Sequence, residues 1–206
     1  MISRAQEKTL TAEVAARRPL KLSSLEKAML KWAVVDPEDK VLDTSIGTGM
    51  MAEYLRRNMQ CEVCGVSDNM ESVRAARNRL QSCDIVYAAA GDIPWREDTF
   101  DTVLMKFGGE EEMVFHCMIS EAARVLRPGG QLILGTAYYP ALANAIARMF
   151  AEESVEERHP FQKNEVAEML SSCEFENVTW QRTGLTTGVM IAWKRNPEVN
   201  EMRYAG

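Results

Sequence analysis

Lys40-Val41-Leu42-Asp43-Thr44-Ser45-Ile46-Gly47-Thr48-Gly49 is the stretch whose reading decides the fold. A short apolar run ends in an acid, and a tight turn with two glycines follows. Met50 to Arg57 then reads as a helix. A strand that turns sharply into a helix at its carboxyl end is the ligand-binding corner of an open α/β sheet. Glycines let the backbone turn tightly and approach a ligand without a Cβ in the way. The helix directs unpaired N–H groups and a partial positive charge at the same point. Asp43 places a carboxylate at the strand tip.

Two families share such a corner. Gly47-Thr48-Gly49-Met50-Met51-Ala52 fits the loose G-x-G-x-x-A dinucleotide fingerprint, with Asp68 near the ribose-binding distance of about 20 residues. Asp43 to Gly49 also resembles motif I of the class I S-adenosylmethionine-dependent methyltransferases (the type 11-like domain), in which an acid precedes G-x-G-x-G. Ser45 stands where that motif has its first glycine.

Four further segments extend the second resemblance, in order, across residues 37–137. Cys64-Gly65-Val66-Ser67-Asp68-Asn69-Met70 resembles strand two and its ligand loop. Ala89-Ala90-Gly91-Asp92-Ile93-Pro94-Trp95 resembles a shortened loop after strand three. Asp98-Thr99-Phe100-Asp101-Thr102-Val103-Leu104 resembles the entry to strand four. Glu121 to Leu132 matches the family's E-x-x-R-V-L-K-P-G-G-x-L helix, turn and strand five. In that last motif Pro128 is expected to end the helix, with Gly129-Gly130 turning the chain. Arg124 through Gly130 reads as scaffold without ligand contact.

Strands are expected near 40–43, 62–66, 85–89, 101–106 and 131–136, with helices between them. The run Leu132-Ile133-Leu134 is apolar throughout, as a parallel strand covered on both faces must be. Val178–Arg182 and Gly188–Lys194 are joined by five residues, a connection that permits only antiparallel pairing. The expected fold is therefore α/β: a Rossmann-like, doubly wound seven-stranded sheet, mostly parallel, with an antiparallel C-terminal hairpin and helices on both faces. Leu22, Leu25, Ala28, Met29 and Trp32 form an apolar stripe at helical spacing. Further helices are expected over Ala141–Phe150 and Lys163–Ser172, the second with Asn164 as a possible N-cap. We divide the chain into an N-terminal helical segment or lid (1–32), a methyltransferase domain (33–195) and a C-terminal tail (196–206).

The chain has 206 residues, 46% of them apolar, and a net charge of −6. That balance argues against a nucleic-acid partner, which wants clustered Lys and Arg. No apolar run approaches the ~20 residues that span a bilayer, and the charged N-terminus lacks a signal-peptide pattern. A cytoplasmic enzyme, monomer or homodimer, with neither a membrane nor a metal involved, is expected. Cys61 and Cys64 form a C-x-x-C on strand two, where odd spacing sends the side chains to opposite faces, so zinc and redox roles are set aside.

The resemblance implies S-adenosylmethionine as cofactor and S-adenosylhomocysteine as product. Asp43, Ser45, Gly47 and Gly49 would cradle the methionine end. The family's ribose-binding acid sits where this chain has Ser67, with Asp68 one place later. Asp68 reaches the ribose if the turn begins early; otherwise Ser67 makes one weaker bond. Asn69 and Met70 follow, with Met70 packing on adenine. Asp92 would accept from the adenine amine, with Ile93 closing over the ring; the structural alternative for Asp92 is a turn or cap. Lys106 stands at the mouth of strand four. The acceptor is a small molecule of unidentified class, with Phe107, Tyr138, Tyr139 and His159 as candidate contacts. Transfer of a methyl group from a sulfonium is an in-line displacement driven by proximity, and no catalytic residue is assigned. The alternatives are a degenerate scaffold or regulatory partner on the same fold and, third, an NAD(P)-dependent dehydrogenase. Glu110-Glu111-Glu112 reads as a solvated helix N-terminus.

Overall fold

The computed structural model describes residues 20–108, 111–137, 163–184 and 187–197. Seven strands form one sheet: β1 (Lys40–Asp43), β2 (Glu62–Ser67), β3 (Asp84–Tyr87), β4 (Phe100–Phe107), β5 (Leu126–Ala137), β6 (Phe175–Arg182) and β7 (Thr187–Lys194). Their order is β3-β2-β1-β4-β5-β7-β6. β1 to β5 run parallel, while β7 is antiparallel to both β5 and β6. The switch point lies between β1 and β4, where strand order reverses and an α/β sheet opens a crevice at its carboxyl ends.

Alternation along each strand divides the core in two. Val41, Val63, Leu104 and Ile133 face one side, which is covered by α1 (Ser24–Trp32), α2 (Met50–Asn58) and α3 (Met70–Arg79). Leu42, Cys64, Val103, Met105, Phe107, Leu132 and Leu134 face the other, under α4 (Glu112–Val125) and α5 (Lys163–Ser172). Cys61 and Cys64 fall in opposite layers, as their spacing requires, and both are free thiols. Burial pushes the Cys64 thiol up to about 12. Among the described residues no three His, Cys, Asp or Glu side chains gather as metal ligands. No helix among them is long and apolar enough to cross a membrane.

α1 starts with a feature that periodicity alone did not disclose. Ser23 Oγ accepts from the Glu26 N–H at 3.2 Å while Glu26 Oε2 accepts from the Ser23 N–H at 2.9 Å, a reciprocal capping box. The helix then lies across β5 and β7, with Met29 fully buried.

Several boundaries differ from expectation for local reasons. α4 ends at Val125, before Pro128, and β5 already begins at Leu126. Helical geometry is disfavoured for the residue preceding a proline, and the chain is already extended at Leu126, φ −73° and ψ 141°. The last carbonyls of α4 are taken instead by the Asp98 and Thr99 N–H groups, at 3.1 and 2.8 Å. β3 ends at Tyr87, two residues short of the expected 89, and β6 begins at Phe175 rather than Val178. Asn164 lies inside α5, exposed, and not at its cap. The expected helix over Ala141–Phe150 lies outside the described residues.

Candidate functional site

At the carboxyl ends of β1, β2 and β4 a cleft of about 300 Å³ is lined by Thr44, Ser45, Gly47, Ser67, Asp68, Ala89, Ala90, Gly91, Lys106, Val114 and Met118. Its polar wall is the β1–α2 corner. Thr44 N–H bonds Leu104 O at 2.9 Å and Ile46 N–H bonds Val66 O at 3.2 Å, so the turn is tied to both neighbouring strands. Gly47 and Gly49 have φ of +51° and +77°, a region that L side chains rarely adopt. Around Gly47 a Cβ would meet only Ser45 O at 3.8 Å, so the turn is open on the cleft side. Ser45 lies outside the positive-φ residues, and the chain therefore needs no glycine there. Its N–H donates to Asp43 Oδ1 at 3.0 Å and its hydroxyl to Lys106 O at 3.5 Å.

Asp43 is 0% exposed, and its Oδ2 has no hydrogen-bond partner among the described residues. Burial raises its pKa, against the opposing pull of the Lys106 charge and the Ser45 N–H. An orphaned buried carboxylate oxygen is costly unless something cationic or hydrogen-bonding meets it. The open glycine turn, the orphaned acid and Lys106 together suit a small zwitterion on a nucleoside, and so fit the cofactor that the sequence resemblance implies.

The opposite wall is apolar and is braced from behind. The Arg124 guanidinium donates to Ile93 O and Trp95 O, each at 2.8 Å, and to Glu121 Oε1 and Oε2 at 2.7 and 2.8 Å. Glu121 Oε2 in turn accepts from the Ile93 N–H at 2.8 Å. The bonds from Arg124, with that of Ile93, hold the Glu121 carboxyl below the usual range. This clamp fixes the loop after β3 against α4.

The cleft thus brings together Ser45, Gly47, Ser67, Asp68 and Lys106 of the expected residues. Asp43, fully buried and bonded to the Ser45 N–H, is not part of the lining. Others serve the fold locally. Gly49 is the N-cap of α2. Asn69 caps α3, its side chain accepting from the Ser72 N–H at 3.0 Å, while Ser67 Oγ accepts from the Asn69 N–H at 3.1 Å. Met70 opens α3, 44% exposed. Asp92 is exposed, in a turn that its N–H closes on Ala89 O at 3.1 Å. Ile93 is buried in the core and not on the cleft wall. Phe107 also turns inward, because alternation along β4 puts residues 103, 105 and 107 on the α4 side. There its ring lies 4.0 Å from that of Phe115. Tyr138, Tyr139 and His159 lie outside the described residues.

Val114 and Met118 went unread in the sequence. They stand four apart on α4, hence on one helix face, but nothing local marks that face as cleft rather than core.

Comparison with known proteins finds this chain similar to methyltransferases. A family model described as "Methyltransferase domain" matches residues 42–134. A demethylmenaquinone methyltransferase of Tropheryma whipplei is 28% identical over 196 residues, spanning 84% of this chain and 81% of the relative. A ubiquinone/menaquinone biosynthesis C-methyltransferase of Cereibacter sphaeroides is 31% identical over 114 residues, 52% of this chain and 46% of that one. The crystal structure of a SAM-dependent methyltransferase from Methanosarcina mazei shares the fold with a TM-score of 0.64 at 22% identity, covering 79% of this chain and 95% of its own.

Proposed function

We propose that this chain, a class I S-adenosylmethionine-dependent methyltransferase, acts on an apolar small molecule with an electron-rich ring, of the quinol kind. The observation that carries the reading is the two-sided cleft. One wall is the polar corner of Thr44, Ser45, Gly47, Ser67, Asp68 and Lys106; the other is Ala89, Ala90, Val114 and Met118. Val114 is 47% exposed and its neighbour Met113 78%, so the apolar wall continues onto the surface, where a ring with an apolar substituent finds contact. The likeness to a demethylmenaquinone methyltransferase over most of both chains supports the same acceptor class.

When bound, S-adenosylmethionine supplies a methyl group on a sulfonium, already activated for displacement. The protein's share is then placement. The glycine turn and Lys106 would hold the amino-acid end, the buried Asp43 charge would offset its ammonium, and Ser67 and Asp68 would accept from the ribose hydroxyls. The apolar wall keeps water from the path between donor and acceptor. Alignment of this sort lowers the barrier without an acid or base in the displacement itself. A ring-carbon acceptor must afterwards lose a proton, and His116 is no candidate for taking it. It is exposed on α4, away from the cleft lining, with Nε2 3.7 Å from Cys173 Sγ.

The test is incubation of the purified protein and S-adenosylmethionine with a reduced demethylated naphthoquinone, a catechol and a polar amine in parallel. Mass spectrometry would read the methylated product. Methylation of the quinol above the other two is expected; methylation confined to the amine would overturn the acceptor class.

A further inference from the structure

Among the described residues Lys106 is the one basic side chain lining the cleft, and it is held from outside the sheet. It lies on β4 two residues beyond Leu104, the residue that pairs with Asp43 in β1, so Lys106 and Asp43 share a face. Its Nζ is 3.2 Å from Glu26 Oε1, an ion pair between residues 80 apart in sequence. The two side chains are only 28% and 16% exposed. The Glu26 carboxylate cannot swing freely, because its other oxygen closes the capping box on Ser23. Burial works against the Glu26 charge, but the Ser23 hydrogen bonds and the Lys106 charge outweigh it, holding the carboxyl below its ordinary range.

We propose that Lys106 reads the α-carboxylate of the cofactor's methionine end, and that Glu26 is the positioning residue that sets its ammonium over the cleft. The proposal rests on the cleft being the cofactor site. An ammonium has three donors and Glu26 uses one, leaving Lys106 able to meet a second carboxylate. The cofactor's amino-acid end carries one positive and one negative charge; Lys106 in the lining complements the second, and the buried Asp43, whose Oδ2 has no hydrogen-bond partner among the described residues, supplies negative charge beside the corner. Occupancy would then place a ligand carboxylate on the group that also fastens α1, so α1 is coupled to the cofactor site through one side chain. An ion pair that only stapled α1 to the sheet would not distinguish ligands by their carboxylate.

The experiment is calorimetric titration with S-adenosylhomocysteine and with 5′-methylthioadenosine, which keeps the nucleoside and sulfur but lacks the amino-acid end. The proteins are wild type, Lys106→Met, Lys106→Arg and Glu26→Gln. Lys106→Met is expected to weaken S-adenosylhomocysteine about tenfold, the scale of one charge-assisted hydrogen bond, and to leave methylthioadenosine unchanged. Lys106→Arg should keep most of the affinity, and Glu26→Gln should show a smaller loss confined to the same ligand. Methylthioadenosine binding at the wild-type level certifies that a variant is folded. Hydrogen exchange over residues 24–32 should slow when S-adenosylhomocysteine binds the wild type and much less in Glu26→Gln. An unchanged ratio of the two affinities in Lys106→Met overturns the proposal alone. Failure of the wild type to bind either ligand overturns the cleft's assignment, and this proposal with it.

Discussion

The two walls of the cleft are built on opposite principles. Behind the apolar wall, the half-buried polar groups are satisfied: Arg124 and Glu121 close bonds on each other and on the Ile93 and Trp95 backbone. At the β1–α2 corner, Asp43 Oδ2 is left without a partner among the described residues, and Gly47 and Gly49 hold φ values that other residues resist. A satisfied network rigidifies, whereas an unsatisfied one is a cost that folding alone does not explain. The difference separates what shapes the cleft from what we propose serves the ligand.

Removing the brace should therefore have the largest effect on stability. Arg124→Ala leaves Glu121 and two backbone carbonyls without their cation, and we expect a loss of about 2–3 kcal/mol in denaturant unfolding. The side chain is 37% exposed, which keeps the figure well below that of a fully buried pair. Lys at 124 should recover only part, since its point charge cannot reproduce the fork. A wild-type midpoint in the alanine variant would show the brace to be decorative.

The two glycines of the β1–α2 corner sharpen the contrast. A Cβ at Gly49 meets Leu80 Cδ1 at 2.8 Å and Ala76 Cα at 3.4 Å on top of an unfavourable φ, so Gly49→Ala should cost about 2 kcal/mol. A Cβ at Gly47 makes only an ordinary contact with Ser45 O at 3.8 Å, and Gly47→Ala should cost about 1 kcal/mol. Because Gly47 lines the cleft, its variant should lose more cofactor affinity for each increment of stability lost. Equal ratios for the two, measured by melting and titration together, would remove the distinction between packing glycine and cradle glycine.

How far this arrangement was legible in the sequence follows the same division. The corner, the seven strands and the opposite facing of Cys61 and Cys64 came from local pattern, because turn chemistry and the period-two alternation act over neighbouring residues. The expected Asn69 and Ile93 contacts did not anticipate the structural work those residues do. An Asn before a helix caps it whatever motif surrounds it, and Ile93 is drawn into the core by its apolar side chain. The pairing of Lys106 with Glu26 and the arrival of Val114 and Met118 at the cleft are set by how helices dock on the sheet, and no short-range signal encodes them.

Asp43 offers the smallest change in structure and a reversal of sign. Asp43→Asn keeps an oxygen for the Ser45 N–H and removes a charge that burial penalises. Near neutral pH it should stabilise the ligand-free protein by about 1 kcal/mol while weakening S-adenosylmethionine at least tenfold, a trade expected where function holds a group in an unfavourable state. The pH dependence fixes the cause. A carboxyl whose folded pKa is raised favours the folded state below its unfolded pKa of about 3.9, and that advantage is lost as pH rises through the folded value. Glu26 and Glu121 have lowered values and act the other way, contributing stability above an unfolded pKa of about 4.3 and losing it on acidification. Both proteins should thus weaken in acid through the glutamates, but only the wild type regains part of the loss as Asp43 takes up a proton. The melting-temperature advantage of Asp43→Asn should be greatest near pH 7 and shrink towards pH 4, about where even the unfolded Asp is half protonated. A constant advantage across that range would mean that shape, and not the buried charge, separates the two proteins.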